Sequence, residues 1–352
     1  MKVMQLIDSL DAGGAERIAV TFANALSKEI DGSYLCVTRS EGVLKEQLLG
    51  AVQFCFIRKK STLDFRAIFR LRTYLKRHKI DVIHAHTTSY FMATLVKLIH
   101  PSVNLIWHTH LGSRVHTSRW QNKMLYLCSL FFSAIITVNE DLKSWCLQKL
   151  IPSQVFYLPN FVNFDIAEEN LERESTIVCL ANLKTPKNHL NLVSAFEKVH
   201  QEFPEWKLLL AGKDFLDEYA KNLKEATEVA GLQNKVVFLG QQKAVNLLLC
   251  KSAIGVLSSD NEGLPMALLE YGAAGLAVVV TNVGHCEEVV AGFGEVVAPN
   301  DPVELAQALK NYMSYEQKRQ TDASLFSKHI RENYSEAVVL PQLINIYKKS
   351  TY

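Results

Sequence analysis

From its start, the chain alternates between short apolar runs and stretches with helical periodicity. In the first half, the strand-like runs are Lys2–Ile7, Ser33–Thr38, Gln53–Ile57, Val82–Ala85, Asn104–Thr109, Ala134–Val138 and Gln154–Leu158. Helical patterns fall between them, near 16–28, 64–78, 89–99, 120–132 and 140–149. Strands separated by helices pair in parallel, because the helix carries the chain back along the sheet. The first half is therefore predicted to be a parallel sheet covered by helices.

The same alternation restarts after a polar, acidic stretch, 163–175, which has no apolar period and is typical of a linker. The strand-like runs that follow are continuously apolar, as buried parallel strands are: Thr176–Leu180, Lys207–Ala211, Val236–Leu239, Ala253–Ser258 and Ala277–Thr281. With 352 residues, the chain is long enough for two domains. We predict an N-terminal domain over 1–165 and a C-terminal domain over 173–330. The tail, about 302–348, is predicted to be helical, and its last helix, about 335–352, to pack back on the first domain.

The net charge of +2 conceals an uneven distribution. Residues 1–165 carry 20 Lys and Arg against 12 Asp and Glu. Much of this excess lies between Arg58 and Lys79, where the basic residues are interleaved with apolar ones. Such a basic amphipathic helix suits an anionic membrane surface, but it equally suits a solvated helix that covers a sheet. Both interpretations stay open here, and no nucleic-acid partner is expected.

The N-terminus has neither the basic stretch nor the apolar run of a signal peptide, and no run is long enough to span a bilayer. The seven cysteines form no C-x-x-C pair, which favours reduced, buried thiols. These features predict a cytoplasmic protein, either soluble or peripheral on the inner face of the plasma membrane.

Two glycines, Gly13 and Gly14, follow the first strand and precede a very apolar helix. Glycines at a helix start let backbone N–H groups approach a phosphate. A Gly-Gly turn is also a common way to begin a helix, and the dinucleotide fingerprint G-x-G-x-x-G is absent. The pair therefore predicts a phosphate contact only together with other motifs.

A second motif lies in the other half, between a buried strand and a helix predicted to open at Pro265. Glu262 falls in the loop at the carboxyl end of that strand, where ligands of parallel sheets bind. Glu270 lies eight residues further on, among apolar helix residues. Both carboxylates are candidates to accept hydrogen bonds from ligand hydroxyls, although Glu270 would also fit an exposed helix position.

Histidines end two strands of the first half, as His84-Ala-His86 and His108-Thr-His110. In a strand, alternate residues point to the same face, so each pair shares one side of the sheet. The pairs could line a cleft, satisfy their hydrogen bonds locally, or bind a metal ion together with an aspartate.

The spacing of Glu262 and Glu270, within the string Glu-Gly-Leu-Pro-Met-Ala-Leu-Leu-Glu, resembles that of retaining glycosyltransferases of family 4, which have the GT-B fold. Other segments agree with this family in the same order along almost the whole chain. They are Gly13-Gly14-Ala-Glu-Arg, Asp81-Val-Ile-His-Ala-His86, Ile136-Thr-Val-Asn-Glu140, Leu158-Pro-Asn-Phe-Val-Asn163, the segment from Leu180 to Asn188, and Thr281-Asn-Val-Gly284. The resemblance implies an α/β protein in which two Rossmann-like α/β/α domains with parallel sheets face each other across a cleft.

The resemblance also implies a role for individual residues in binding the donor. Gly13, Gly14 and Lys187 would bind the donor diphosphate, with Asn182 at the position where most members have arginine and Lys184 close enough to compensate. The donor sugar and ribose would be bound by Glu262, Gly263, Leu264, Pro265 and Glu270. His110 would lie beside the transferred sugar, so that His110 and Glu262 are the catalytic candidates. The loop after Leu239-Gly240 resembles the segment that contacts the base.

These expectations together predict a retaining hexosyltransferase that needs no metal or other cofactor, consistent with the absence of a D-x-D motif. The co-substrate would be a UDP- or GDP-sugar. The acceptor would be a glycan or lipid-linked molecule, as in bacterial surface polysaccharide synthesis, and the basic and aromatic residues between Arg114 and Tyr126 suit a lipid surface. Two enzymatic alternatives are a metal-dependent hydrolase that uses the histidine pairs and a nucleotide-sugar epimerase. A third alternative, which is not an enzyme, is a catalytically silent binding protein.

Overall fold

The protein is described here by a computed structural model that covers residues 1–11, 13–118, 120, 122–151, 154–164, 172–242 and 245–350. The chain divides into two compact units. The first comprises Met1–Asn160 and the chain from Glu336 onward, and the second comprises Phe161–Ser335.

The first unit is built on a parallel sheet whose strand order is β3-β2-β1-β4-β5-β6-β7. Its strands are β1 (Lys2–Ser9), β2 (Gly32–Ser40), β3 (Gln53–Phe56), β4 (Val82–His86), β5 (Asn104–Thr109), β6 (Ala134–Thr137) and β7 (Val155–Tyr157). The helices between them are α1 (Gly14–Leu26), α2 (Phe65–His78), α3 (Tyr90–Ile99), α4 (Lys123–Ser129) and α5 (Glu140–Lys149). Each predicted strand of this half is confirmed.

The second unit repeats the design with the strand order β10-β9-β8-β11-β12-β13, again parallel. Its strands are β8 (Thr176–Leu180), β9 (Lys207–Ala211), β10 (Val236–Gly240), β11 (Ile254–Leu257), β12 (Ala277–Thr281) and β13 (Glu295–Val297). Its helices are α6 (His189–His200), α7 (Glu218–Val229), α8 (Val245–Lys251), α9 (Met266–Ala273), α10 (Cys286–Val290), α11 (Pro302–Ser314) and α12 (Glu316–Tyr334). The fold is therefore the predicted α/β class with a parallel sheet in each unit.

The last helix, α13 (Glu336–Ser350), belongs to the first unit. It packs beside α1, and its fully buried Tyr347 reaches the sheet, where its hydroxyl contacts Gln5 of β1 and His84 of β4. The predicted helical tail is thus three helices, with the last one contributing a polar side chain to the interior of the first unit.

Local differences from the sequence predictions have simple causes. The short edge strand β13 was not predicted, because three residues are too few to give a pattern. The helix expected to open at Pro265 begins at Met266, with Pro265 as its N-cap. Asp301 caps α11 by accepting hydrogen bonds from the backbone of Val303 and Glu304, and Glu304 accepts one from the backbone of Ala298.

In the described part of the chain, no helix combines the length and the apolar character that crossing a bilayer requires. The seven cysteines are all free; six are buried and Cys55 is half-buried.

Candidate functional site

The second unit places Lys187 and Glu262 in direct contact at the carboxyl edge of its sheet. Lys187 lies in the loop after β8, and Glu262 in the loop after β11, which pairs with β8. The Lys187 Nζ atom is 2.5 Å from Glu262 Oε1, and the two side chains are only 23% and 9% exposed. A charge pair this sheltered from water interacts more strongly than one on the surface. The two residues that the sequence assigned to one ligand therefore meet.

The Glu262 loop is held by hydrogen bonds on both sides. Ser259 donates its hydroxyl to Glu262 Oε1 at 2.6 Å, and Thr281 donates to the Ser259 carbonyl at 2.6 Å. Gly284 has a positive φ of 54°, and a Cβ there would collide with the backbone of Glu262 and Gly263. The loop therefore packs so closely that residue 284 must be glycine. Ser259 was not among the predicted site residues.

The Lys187 loop is attached to the same edge. The Asp260 amide donates to the Pro186 carbonyl at 2.8 Å, and Ser258 donates its hydroxyl to the Lys187 carbonyl at 3.1 Å. Asn188, at φ 47°, caps α6, and its side-chain nitrogen donates to Asp260 Oδ1 at 2.7 Å. These bonds join the loops after β8 and β11 into one rigid rim.

Asn182, which occupies the position where an arginine is usual, has a structural bond. Its Oδ1 accepts a hydrogen bond of 2.9 Å from the Lys213 backbone after β9. Two cations lie nearby: Lys184 Nζ is 6.0 Å and Lys213 Nζ 5.3 Å from the centre of the Phe215 ring. Positive charge at this strand end thus comes from two lysines. Lys213 was not predicted, because only the pairing of β8 with β9 brings it beside Asn182.

The remaining predicted donor residues lie on or before α9. Gly263, Leu264 and Pro265 are buried between the Glu262 loop and this helix. Glu270 is half-buried within α9. Its neighbour Tyr271 is fully buried, and the Tyr271 hydroxyl accepts from the Leu180 backbone at 2.7 Å, which fixes α9 against the end of β8. The loop after Leu239-Gly240 is described through Gln242; residues 243–244 lie outside the described residues.

In the first unit, Gly13 and Gly14 stand at the start of α1, directly after β1. Gly13 is the N-cap residue in an extended conformation, and Gly14 is the first helical residue. A Cβ added at Gly14 would find no atom within 4 Å. The first-turn N–H groups of a helix lack partners within it and suit an anion, although the Glu16 carboxylate of this turn lies close to Gly13.

The predicted histidines of the first unit form one cluster on the face of the sheet covered by α1. We call His84, His86, His108 and His110 the histidine cluster. The first three are fully buried, and Phe22 of α1 lies against their rings. Burial, and then the neighbouring imidazoles, lower the pKa of each of these three well below its usual range. Burial also lowers the pKa of His110 to about 3. The rings are therefore neutral at physiological pH.

The histidine cluster is arranged as a hydrogen-bonded network. His86 joins His110 at 3.0 Å and Gln5 Oε1 at 2.8 Å. His84 joins the Tyr347 hydroxyl at 2.6 Å and His108 at 3.1 Å. His84, His86 and His108 are also close enough to one another to be metal ligands. Of their ring nitrogens, however, five of six already have a hydrogen-bond partner, the exception being His108 Nε2.

The outer face of α2 carries both aromatic and basic side chains. Its inner face, with Ala67, Ile68, Leu71 and Leu75, is buried. Phe65 and Phe69 are 67% and 56% exposed, so these rings do not serve to pack the helix on the sheet. Arg66, Lys76 and Arg77 share this exposed side. Arg70 and Arg72 instead donate to the backbone carbonyls of Ile57 and Ile99.

A second exposed apolar region follows β5. Trp120 is 83% exposed, and Leu111, Met124, Tyr126, Leu127 and Leu130 are all more than 40% exposed. Arg114, predicted to face a lipid surface, is instead half-buried; it donates to Asn122 Oδ1 at 2.8 Å and lies over the Trp107 ring. Arg119 and the side chain of His116 lie outside the described residues.

Two α/β units, each built on a parallel sheet, agree with the predicted GT-B class of glycosyltransferases. Two family models match the chain: Glycosyltransferase Family 4 over residues 12–166 and Glycosyl transferases group 1 over residues 162–324. The chain belongs to the family 4, or group 1, glycosyltransferases. Members of this family are glycosyltransferases, which argues against the hydrolase and epimerase alternatives.

The chain is also similar to curated and solved proteins. A GalNAc-alpha-(1->4)-GalNAc-alpha-(1->3)-diNAcBac-PP-undecaprenol alpha-1,4-N-acetyl-D-galactosaminyltransferase of Campylobacter jejuni is 26% identical, over 77% of this chain and 76% of that protein. A UDP-Gal:alpha-D-GlcNAc-diphosphoundecaprenol alpha-1,3-galactosyltransferase of Escherichia coli is 25% identical, over 77% and 76%. The crystal structure of Anabaena Alr3699/HepE in complex with UDP and glucose superimposes with a TM-score of 0.86 at 18% identity, covering 99% of this chain and all of that one. This structural similarity concerns the fold.

Proposed function

We propose that the protein is a retaining, metal-independent glycosyltransferase that transfers a sugar from a UDP-sugar to a lipid-linked glycan. The observation that carries the proposal is the Lys187–Glu262 pair on the rim of the second sheet. Ligands of parallel sheets bind at this edge. A cation for the diphosphate and a carboxylate for sugar hydroxyls are thus already side by side.

The pair suggests how the donor is accommodated. Both contacts of the Glu262 carboxylate, with Lys187 and Ser259, fall on Oε1. Oε2 would accept a hydroxyl of the donor sugar, and the Lys187 ammonium would turn to the diphosphate, whose charge grows as the glycosidic bond breaks. The resemblance to family 4 also assigns the backbone N–H groups at Gly13 and Gly14 to the diphosphate. Charge on the leaving group would thereby be stabilised by this chain's own residues.

Retention follows from the mechanism we favour. Two-step displacement needs a carboxylate nucleophile beside the anomeric carbon, and we assign none. The acceptor hydroxyl would attack from the face that the diphosphate leaves, and a phosphate oxygen would take its proton. His110 would accept a hydrogen bond from the transferred sugar, and Glu270 would bind the ribose.

The choice of UDP rests on relatives. The Escherichia coli relative is named for UDP-Gal, and the Anabaena structure holds UDP and glucose. Both curated relatives are named for substrates linked to undecaprenol through a diphosphate. We therefore propose a UDP-sugar donor and a polyprenyl-diphosphate-linked glycan acceptor.

Calorimetric titration of the protein with UDP, GDP and ADP, each in EDTA, tests the donor site. We expect UDP to bind in EDTA and Lys187→Met to weaken binding at least tenfold. Lys221→Met is the matched control, because Lys221 is 74% exposed on α7 of the same unit and should leave binding unchanged. Binding of UDP only when a divalent cation is added would contradict the metal-free site, and preference for GDP or ADP would contradict the donor.

A lipid-linked acceptor requires contact with a membrane, and α2 supplies a suitable surface. Exposed aromatic rings beside basic side chains are typical of helices that lie in the headgroup region of anionic bilayers. The exposure of Phe65 and Phe69 favours this interpretation over a merely solvated helix, since a solvated face does not need them. We propose that this face of α2 contacts the membrane.

Flotation with vesicles that contain anionic lipid tests the contact. We expect Phe65→Ser/Phe69→Ser to lose most of the bound protein, because each ring contributes roughly 1.5–3 kcal/mol when it leaves water. Phe215→Ser, which removes a 43% exposed ring from the second unit, is the matched control. Equal flotation of the double variant and the unchanged protein would refute the assignment.

A further inference from the structure

A chain of buried polar groups connects the C-terminal helix to His110. It runs from the Tyr347 hydroxyl on α13 to Gln5 on β1, then to His86 at the end of β4, and finally to His110 after β5. Gln5, His86 and Tyr347 are all fully buried. Buried polar groups without partners are costly, so most groups in a network of this kind are paired. The positions of the Gln5 amide nitrogen and oxygen determine which ring nitrogens carry protons.

The direction of each hydrogen bond follows from the Gln5 amide. Gln5 Nε2 donates to the Tyr347 hydroxyl at 3.2 Å, which leaves Gln5 Oε1 toward His86 Nε2 at 2.8 Å. An amide oxygen only accepts, so His86 carries its proton on Nε2. The neutral His86 ring then has a bare Nδ1, which accepts at 3.0 Å from His110 Nε2. His110 is thereby a ring with its proton on Nε2 and a bare Nδ1.

A second branch of the network shares the Gln5 amide and the Tyr347 hydroxyl. Because the Tyr347 oxygen accepts from Gln5, its own proton is directed to His84 Nδ1 at 2.6 Å. His84 Nε2 then donates to His108 Nδ1 at 3.1 Å, and the branch ends at the protonated His108 Nε2, which has no partner among the described residues. Turning the amide over would reverse the direction of every bond in both branches, so the two branches are coupled through Gln5 and Tyr347.

We infer that Gln5 and Tyr347 are positioning residues that hold His110 in the Nε2–H tautomer, so that its Nδ1 is available to accept a hydrogen bond from a hydroxyl of the substrate. The inference rests on the proposed function in placing His110 at the transferred sugar. The tautomer itself is a property of the first unit alone. A role of this kind resembles that of the groups that orient catalytic or metal-binding histidines in other enzymes.

The tautomer is directly measurable by long-range proton–nitrogen NMR correlations of the ligand-free protein, with His110 assigned by comparison with His110→Gln. We expect an Nε2–H ring for His110 in the unchanged protein. Gln5→Leu should give a mixture of both tautomers, and Tyr347→Phe should do the same because the amide is then free to turn. Gln5→Glu should restore the single tautomer, since a carboxylate still accepts from His86 Nε2. His189→Asn removes a fully buried ring from the second unit, outside this network, and should leave the His110 tautomer unchanged.

Activity supplies a second readout. Gln5→Leu should lower kcat on the order of tenfold or more, because a misplaced or wrongly protonated group costs this much, with KM for the UDP-sugar within about twofold. Gln5→Glu should recover most of kcat. An Nδ1–H ring in the unchanged protein, or a His110 tautomer that ignores Gln5→Leu, would overturn the inference. The predicted tautomers in a protein without transferase activity would support the inference and refute the proposed function instead.

Discussion

Replacing Lys187 by methionine should destabilise the second unit even in the absence of any ligand. The substitution keeps the length of the side chain and removes its charge. It leaves the Glu262 carboxylate, which is 9% exposed, with the Ser259 hydroxyl but without its cation. A buried charge that loses its partner is penalised by the desolvation that the partner had offset.

The magnitude can be bracketed from the exposure of the pair. Removing one member of a fully buried pair costs about 3–5 kcal/mol, whereas an exposed pair contributes about 0–1 kcal/mol. Lys187 is 23% exposed, so the pair falls between these limits, and we expect a loss of about 1–3 kcal/mol. For a domain of roughly 150–250 residues, this lowers the melting temperature by about 2–12 °C.

Thermal unfolding of Lys187→Met, Glu262→Gln and the double variant distinguishes two causes of the loss. One is the missing attraction between the two charges, and the other is the desolvation cost of a Glu262 carboxylate left without its cation. If the unpaired carboxylate causes the loss, the double variant will be more stable than Lys187→Met, because it contains no buried charge. Lys221→Met should unfold like the unchanged protein. A double variant no more stable than Lys187→Met, or a melting temperature of Lys187→Met within 1 °C of the unchanged protein, would show that the unpaired Glu262 carboxylate carries no such penalty.

Three further predictions concern the glycines and the histidine cluster. Gly14→Asp should preserve or slightly raise stability, because an acidic residue suits a helix N-terminus, but it should weaken UDP binding at least tenfold in calorimetry. Gly14→Ala should change neither stability nor UDP binding. A Gly14→Asp variant that binds UDP as tightly as the unchanged protein would contradict the diphosphate contact. In urea unfolding, Gly284→Ala should lower the free energy of unfolding by about 2–4 kcal/mol. Gly292→Ala should lower it by only about 1 kcal/mol, because Gly292 has a positive φ but open space around it. Equal losses would show that the Glu262 loop is not closely packed. Folding lowers the pKa values of the histidine cluster, so the unfolded chain binds more protons than the folded one below about pH 6.5. The free energy of unfolding should therefore fall from pH 7.5 to 5.5 by about 1.4 kcal/mol for each ring that stays neutral in the folded protein. A free energy of unfolding by urea that does not change over this range would contradict the prediction.

The sequence was sufficient to predict the strands and their parallel arrangement because buried parallel strands are written as short, uniformly apolar runs. It also singled out Glu262, from the loop that follows such a run, and Lys187, through the resemblance to family 4. It could not show that they touch, because they are 75 residues apart and meet only through the pairing of β8 with β11.

Other features of the site depend on contacts that no local pattern encodes. Gln5 looks like an ordinary polar residue in a strand, and Tyr347 like one aromatic residue of an amphipathic helix, although 342 positions separate them in the sequence. The packing of α13 beside the sheet makes them partners. Likewise, the spacing between Phe65 and Phe69 cannot reveal which apolar residues of α2 pack and which remain exposed.

The proposed function is tested directly by transfer from UDP-sugars to a polyprenyl-diphosphate-linked glycan in the presence of EDTA, with the product anomer determined by NMR. We expect UDP release coupled to a glycan with the anomeric configuration of the donor, abolished by Lys187→Met and retained by Lys221→Met. A product of inverted configuration, or transfer that stops in EDTA and resumes with a divalent cation, would contradict the proposed function.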